Sequence, residues 1–158
     1  EWVNTDHALF VGEKSQVQGT LRCSCDDKNV YFLVEVLDRS LLRGDYATVY
    51  LSPGDSKSLT NGAKRIQVSM DGLKSTETYA GKWNNAEMGV EVKTYVCNDT
   101  NEDRIDNYGY IAEISVPRSS LTISSGQVLV NFSITDNKEE EAVSDVSSIS
   151  RWIPVAGL

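Results

Sequence analysis

Apolar and polar residues alternate with a period of two along most of the chain. The segment VQGTLRCSC places Val17 and Leu21 on one side and Gln18 and Thr20 on the other. The segments AKRIQVSMDG, MGVEVKTYVC, YGYIAEISVP and GQVLVNFSITD repeat this scheme, and NVYFLVEVLD is nearly continuous in apolar residues. Alternation is typical of strands with one buried face, and a continuous apolar run indicates a central strand.

Turn signals separate these segments every ~8–12 residues. Examples are Asp26–Asn29 and Pro53-Gly54, while residues 98–107 form a polar stretch that predicts an exposed loop. No segment carries a convincing helical pattern. The chain therefore predicts an all-β fold with little helix: an antiparallel β-sandwich of jelly-roll or immunoglobulin-like type with eight or nine strands. Residues 1–158 form a single predicted domain, without an internal repeat or linker.

The charge of the chain limits the partners it can have. Its 23 acidic and 15 basic residues give a net charge of -8. Binding to nucleic acid requires a basic surface, so this class of partner is not expected. No apolar run approaches the ~20 residues that cross a bilayer, so membrane insertion is not expected either. Because the chain starts at Glu1 without methionine, it reads as a piece of a larger protein with covalently linked neighbouring domains.

The three cysteines favour packing over metal chemistry. Cys23 and Cys25 share the apolar side of their predicted strand, which predicts buried thiols. A disulfide from Cys97 to either of them stays open as an alternative. The sequence has no Cys-x-x-Cys pair, which argues against a zinc site.

Catalytic chemistry finds little support in the sequence. His7 is the only histidine, and no Gly-x-Ser-x-Gly elbow is present. Glu91 and Glu113 could face the same way as a pair of glycosidase carboxylates, but they lie among ordinary strand residues. Met70 and Met88 occupy apolar positions, so core packing is favoured over haem ligation with His7. We therefore expect a non-catalytic protein without an organic cofactor.

Calcium is a candidate ligand at two acidic segments. Asp99, Asn101 and Asp103 alternate in a spacing that can direct oxygen atoms to one hard cation. Asp27 lies in another acidic turn. The alternative interpretation of both segments is a solvated acidic loop, because the glycine that an EF-hand loop needs is absent.

Several middle strands are predicted to share a polar face. Mixed donors and acceptors together with a tyrosine suit a hydroxyl-rich ligand, although one face of an antiparallel sheet is often simply solvated. The residues of this predicted face are Arg65, Gln67, Glu91, Lys93, Tyr95, Glu113 and Asn131.

The tryptophans Trp2, Trp83 and Trp152 lie in predicted loops or near the termini. Each is either a core residue or a binding plate, because tryptophan is costly to expose. Trp83 is flanked by Gly81 and by the amides Asn84 and Asn85. Flat aromatic rings stack on sugar rings while amides bind the hydroxyls, so Trp83, Trp152, Asn84, Asn85 and Tyr79 are predicted to flank a saccharide site.

The order of motifs resembles carbohydrate-binding module family 9 and its DOMON-like relatives. The segments CDDKNVYFLVEVLD, GDYATVYLSPGD, AKRIQVSMDG, YGYIAEISVP, GQVLVNFSITD and RWIPV carry the resemblance over nearly the whole chain. It implies a saccharide-binding β-sandwich attached to a larger extracellular or cell-surface protein, with structural calcium. Arg65 and Gln67 match the family's polar strand across the sugar cleft, Trp152 matches its late tryptophan, and Asp27 and Asp38 match recurring acidic positions.

The chain departs from this family in front of Asp45. Binding members place a tryptophan there as half of an aromatic clamp, whereas this chain has Leu41–Gly44, and Thr48 and Ser52 replace acidic positions. Trp83 is the candidate that replaces the missing plate. Our leading hypothesis is therefore a non-catalytic module that targets a glycan-active protein to its substrate. A structural or adhesive spacer is the alternative, followed by a haem-binding DOMON-type domain.

Overall fold

The structure is a computed structural model, and it describes residues 8–12, 17–38, 41–53, 59–99, 106–137, 144–146 and 153–156. This part of the chain contains twelve strands and one three-residue 3-10 helix, Arg118–Ser120. In chain order the strands are β1 (Ala8–Gly12), β2 (Gln18–Cys25), β3 (Asn29–Leu37), β4 (Tyr46–Pro53), β5 (Lys64–Ser69), β6 (Gly72–Tyr79), β7 (Trp83–Asn85), β8 (Glu91–Asp99), β9 (Asp106–Pro117), β10 (Gln127–Asp136), β11 (Ser144–Val146) and β12 (Ile153–Ala156).

The strands form two antiparallel sheets. The five-stranded sheet has the order β1-β2-β3-β9-β8. The seven-stranded sheet has the order β11-β10-β4-β5-β6-β7, and β12 also pairs with β10. The predicted fold class is confirmed: nine strands have five or more residues, and β7, β11 and β12 are shorter.

The core lies between the sheets, where the apolar residues of each strand point inward. On β2 the alternation places Leu21 inside with no exposed surface, while Thr20 is only partly covered. On β5 the same alternation buries Ile66 and Val68. The apolar run of β3 is explained by its central position between β2 and β9. The predicted faces of β2 and β5 are therefore confirmed.

Two close contacts join the sheets across this core. A Cβ atom added to Gly19 of β2 would lie 2.4 Å from Cδ1 of Ile134 on β10, so the backbone of one sheet touches side chains of the other. The hydroxyl of Tyr110 on β9 donates a hydrogen bond to the carbonyl of Val68 on β5, at 3.3 Å. Burial raises the pKa of Tyr110, which keeps this donor protonated.

Two segments predicted as loops contain strands. Trp83 lies on β7, because Gly81 adopts a φ of +73° in the turn after β6 and the chain returns along that strand. Within the predicted loop 98–107, Asn98 pairs with Asn107 and Asp99 with Asp106, so these positions extend β8 and β9. Polar composition alone cannot separate the end of an edge hairpin from a loop, since both are solvated.

Cys23, Cys25 and Cys97 form no disulfide with one another. Cys23 is buried, and Cys25 and Cys97 are half-buried. Burial, together with the neighbouring Cys25, raises the pKa of Cys23 to about 12. The prediction of buried thiols is confirmed for Cys23, which belongs to the core, whereas Cys25 is only partly buried and packs against the core.

Substitution of Gly109 by alanine tests the pairing of β3 with β9. Gly109 has a φ of +132°, and an added Cβ would lie 1.8 Å from the carbonyl oxygen of Val36. Because backbone must move to relieve this clash, we expect a loss of roughly 3 kcal/mol or more in the free energy of unfolding, measured by urea denaturation. Gly81→Ala is the matched control: Gly81 has positive φ and open space, so its loss should be about 1 kcal/mol. Equal losses would contradict the clash.

Candidate functional site

A polar row crosses the outer face of the seven-stranded sheet. Arg65 on β5 lies opposite Tyr50 on β4 and Glu77 on β6, and Glu77 lies opposite Asn85 on β7. Ile66, next to Arg65, is fully buried, so the alternation of β5 turns the arginine outward. The row follows from strand register and brings together residues far apart in the chain.

Trp83 is the centre of an aromatic cluster on this face. Its ring centroid lies 5.3 Å from that of Tyr79, in an edge-on arrangement, and 6.2 Å from that of Tyr50. The guanidinium of Arg65 lies 4.6 Å from the centroid of the Trp83 ring, which is a cation–π contact. Trp83 is half-buried. We call Trp83, Arg65, Tyr50 and Tyr79 the Trp83 platform.

Hydrogen bonds hold the polar side chains of the face in place. Arg65 donates to the carboxylate of Glu77, which is largely covered. The amide of Gln67 accepts a hydrogen bond from the Ser75 hydroxyl at 2.9 Å and donates to that of Thr48 at 3.4 Å. These contacts orient Arg65 and Gln67 before any ligand arrives, which lowers the entropic cost of binding.

The structure brings most of the predicted site residues to this face. Asn131 on β10 lies opposite Tyr50 and extends the polar row beyond Arg65. Asn84 does not belong to the face: it alternates with Trp83 along β7, and its Nδ2 atom donates to the carbonyl of Lys82. The predicted residues found on the face are Arg65, Gln67, Tyr79, Trp83, Asn85 and Asn131.

The structure corrects the prediction that Glu91 and Lys93 share a polar face with Arg65. Both lie on β8, which pairs with β9 in the five-stranded sheet. Alternation shows that two side chains both point away from the core, but it does not show whether their strands belong to the same sheet. The remaining predicted ligand residue, Trp152, lies outside the described residues.

The residues considered for catalysis and haem ligation have ordinary surroundings. Glu91 and Glu113 emerge on the same face, since Glu91 lies opposite Ser115 and Lys93 opposite Glu113, and both carboxylates are exposed. Met88 is buried in the core and Met70 packs against it, which confirms their predicted packing role. His7 lies outside the described residues.

The predicted calcium segments are only partly described. Asp99 contributes its backbone to β8, and Asn101 and Asp103 lie outside the described residues. Asp27 is exposed in the turn between β2 and β3. A different acidic group is well defined: carboxylate oxygens of Asp38, Asp45 and Asp136 lie within 4.8 Å of one another, and all three residues are buried. We call these three residues the aspartate triad.

The aspartate triad lies where three strands begin or end. Asp38 follows β3, Asp45 precedes β4 and Asp136 ends β10. The carboxylate of Asp45 accepts hydrogen bonds from the backbone N–H groups of Leu42, at 2.6 Å, and Asn137, at 2.7 Å. Burial is the main effect that raises the pKa of Asp45, and the nearby charges of Asp38 and Asp136 raise it further against these hydrogen bonds.

The sequence-based predictions missed residues of both the polar face around Trp83 and the aspartate triad. Tyr50 and Glu77 occupy outward positions of alternating strands, so the period of two could have placed them on a polar face. Nothing local links them to Arg65, because the link is the register between strands. The aspartate triad has a fainter signal: an aspartate stands at the boundary of each strand, which is also typical of ordinary turns.

An antiparallel β-sandwich with an aromatic and hydrogen-bonding platform on an outer sheet face has the architecture of a non-catalytic ligand-binding module. A family model described as "Carbohydrate family 9 binding domain-like" matches residues 2–155. The chain therefore belongs to carbohydrate-binding module family 9, and it is a non-catalytic carbohydrate-binding module.

Similar proteins agree with this assignment. The endo-1,4-beta-xylanase C of Paenibacillus barcinonensis is 30% identical over 121 residues, which cover 76% of this chain and 10% of the xylanase. The chain thus spans about a tenth of the length of that relative. Two structures of a family 9 carbohydrate-binding module from Caldicellulosiruptor kristjanssonii, in complex with cellotriose and with glucose, share the fold at 16% identity, with TM-scores of 0.56 and 0.59. They match over 97% of this chain and 72% and 73% of theirs.

The described part of the chain contains no helix with the length and apolar character that crossing a membrane requires.

Substitution of Asp45 by asparagine tests the electrostatics of the aspartate triad. Because folding raises the pKa of Asp45, its carboxyl stabilises the fold below the ordinary value of 3.8, and this stabilisation is lost as the pH rises through the folded pKa. With EDTA present, the unfolding free energy of the wild type should therefore fall relative to that of D45N as the pH rises above 3.8. Urea denaturation across this range measures it. Asp71→Asn, at an exposed turn, controls for loss of a surface carboxylate, and a pH-independent difference for D45N would contradict the raised pKa.

Proposed function

We propose that the Trp83 platform is the saccharide-binding site of this module. The observation that supports the proposal is the cluster of Trp83, Arg65, Tyr79 and Tyr50 on the polar face of the seven-stranded sheet. Aromatic surface of this kind packs against the C–H groups of a pyranose ring. The adjoining polar side chains are able to bind hydroxyl groups, so the face combines both elements of sugar recognition.

Individual side chains have distinct parts in this proposal. Trp83 supplies apolar surface in place of the clamp tryptophan missing before Asp45. Arg65 and Gln67 are preorganised by Glu77, Ser75 and Thr48, so they present donors and acceptors in fixed directions. Asn85 and Asn131 extend the polar row at its two ends. A shallow site of this kind binds with micromolar to millimolar affinity, or roughly -4 to -8 kcal/mol.

The module would act by tethering. A weak site that is covalently joined to an enzyme raises the effective concentration of that enzyme at its polymer without new chemistry. One protein similar to this chain is a xylanase, and the match spans a tenth of the length of that xylanase. We therefore assign the module to a larger glycan-active protein that works outside the cell or at the cell surface, where polysaccharides are met.

Calcium is the ion proposed for the aspartate triad. Calcium binds carboxylate and carbonyl oxygens with six to eight ligands, and three converging carboxylates fit this preference. Three buried negative charges repel one another and lose hydration, so a divalent cation would offset both costs. Asp38, Asp45 and Asp136 would hold the ion. The hydrogen bonds that Asp45 accepts from Leu42 and Asn137 would then connect the ion to the loop before β4 and to the residue after β10.

Trp83→Ala is the test of the saccharide site. Removal of the indole should weaken the binding of cellotriose at least ~10-fold in isothermal titration calorimetry, since an aromatic contact and the partner of Arg65 are lost together. Phe10→Ala is the matched control, because Phe10 is an aromatic residue 58% exposed on β1 of the opposite sheet. Circular dichroism checks that both variants fold. Unchanged affinity in W83A would remove Trp83 from the site.

Asp136→Asn is the test of the calcium site. Calcium chloride should raise the melting temperature of the wild type after EDTA treatment, because an ion that binds only the folded state stabilises it. The D136N variant should lose most of this increase. Asp27→Asn, at the exposed turn, should keep it. If D27N loses the increase and D136N keeps it, the ion binds at the turn instead of the aspartate triad.

A further inference from the structure

A polar groove lies on the five-stranded sheet, on the opposite side of the sandwich from the Trp83 platform. Its volume is about 600 Å³, within the range of small-molecule sites. The end of β2, the turn after it and strands β3, β8 and β9 line it. Side chains at its wall and floor include Ser24, Asp26, Tyr31, Glu91, Lys93 and Glu113.

The floor of this groove is held by a short hydrogen-bond chain. The Tyr31 hydroxyl donates to the Asp26 carboxylate at 2.7 Å and accepts from the Asn29 side chain at 3.2 Å. The other Asp26 oxygen accepts from the backbone N–H groups of Lys28, at 2.7 Å, and Asn29, at 2.8 Å. These hydrogen bonds lower the pKa of Asp26, so the carboxylate stays charged. The aromatic ring of Tyr31 is thus anchored at its polar end.

The wall of the groove carries polar groups that are available to a ligand. Lys93 lies directly opposite Glu113, and Glu91 lies opposite Ser115. All three charged side chains are exposed. Among the residues that the structure describes, none of these three side chains forms a hydrogen bond or an ion pair. Their acceptors and donors therefore point into solvent beside an anchored aromatic ring.

We infer that this groove is a second saccharide-binding site, for an uncharged glycan. Carboxylates accept hydrogen bonds from sugar hydroxyls, the Lys93 ammonium and the Ser24 hydroxyl donate to them, and Tyr31 offers aromatic surface. Three carboxylates against one ammonium leave the groove net negative, which disfavours uronates and other anionic ligands.

The groove and the Trp83 platform are independent of each other. They lie on the outer faces of two sheets that pack against each other through the core, so the two surfaces point away from each other. The module would contact two segments of polysaccharide at once, and binding would gain avidity on an insoluble polymer. The inference goes beyond the site proposed at Trp83 and does not depend on it.

Amide chemical shifts of the whole 158-residue chain test the inference. Titration with cellotriose or with xylotriose should shift the amide signals of Tyr31, Lys93 and Glu113, and these shifts should persist in W83A. The double variant K93A/E113A should weaken binding at the groove at least ~10-fold. The matched control is R22A/E35A, which removes a half-exposed ion pair between β2 and β3 of the same sheet. Its charged atoms are 3.7 Å apart, and neither residue lines the groove.

Each other outcome of this titration either supports or overturns the second saccharide site. No shift at the groove with either trisaccharide overturns the inference, whatever happens at Trp83. Shifts at the groove with calcium chloride or with a trilysine peptide, and none with the sugars, would make it a cation site. Equal loss in K93A/E113A and R22A/E35A would also overturn it. Groove shifts without binding at Trp83 would support this inference and contradict the saccharide site at the platform.

Discussion

The spacing of the two sheets rests on contacts made at Gly19 and Tyr110. At Gly19 the backbone of β2 touches the side chain of Ile134, so a larger residue fits only if that side chain or its sheet moves. At Tyr110 a hydroxyl crosses the core to a carbonyl of β5. A buried donor that lost this partner would cost about 1–3 kcal/mol, which ties the two sheets to one relative position. The relative position of the two sheets determines which side chains face outward.

Both candidate saccharide surfaces follow from this packing. When Ile66 turns inward on β5, Arg65 must turn outward, and the register with β4 and β6 delivers Tyr50 and Glu77 to its sides. On the other sheet the same rule delivers Tyr31 beside the strand that carries Glu113. The two polar faces therefore point away from each other. A module built in this way presents two separate candidate surfaces, one on each sheet.

The aspartate triad depends on the ends of strands instead of their faces. Asp38, Asp45 and Asp136 come from three boundaries, and Asp136 is far from the others in the chain. Their burial at the rim of the core makes the loop before β4 sensitive to charge, because Asp45 holds that loop through Leu42. Asp45 and Asp136 flank strands of the seven-stranded sheet that carries the platform, whereas Asp38 follows β3 of the five-stranded sheet, so the triad lies where the two sheets meet.

The sequence by itself determined the all-β class and the buried sides of β2 and β5, because alternation with period two is a local property of hydrophobicity. It also identified Arg65, Gln67 and Trp83 as residues of a polar, aromatic face. Only the tertiary structure decided that Glu91 and Lys93 lie on the other sheet, that Trp83 stands on an edge strand and that three aspartates converge. These features depend on which strands become neighbours and in which register. Pairing between distant segments is set by packing of the whole core, which no single stretch of sequence contains.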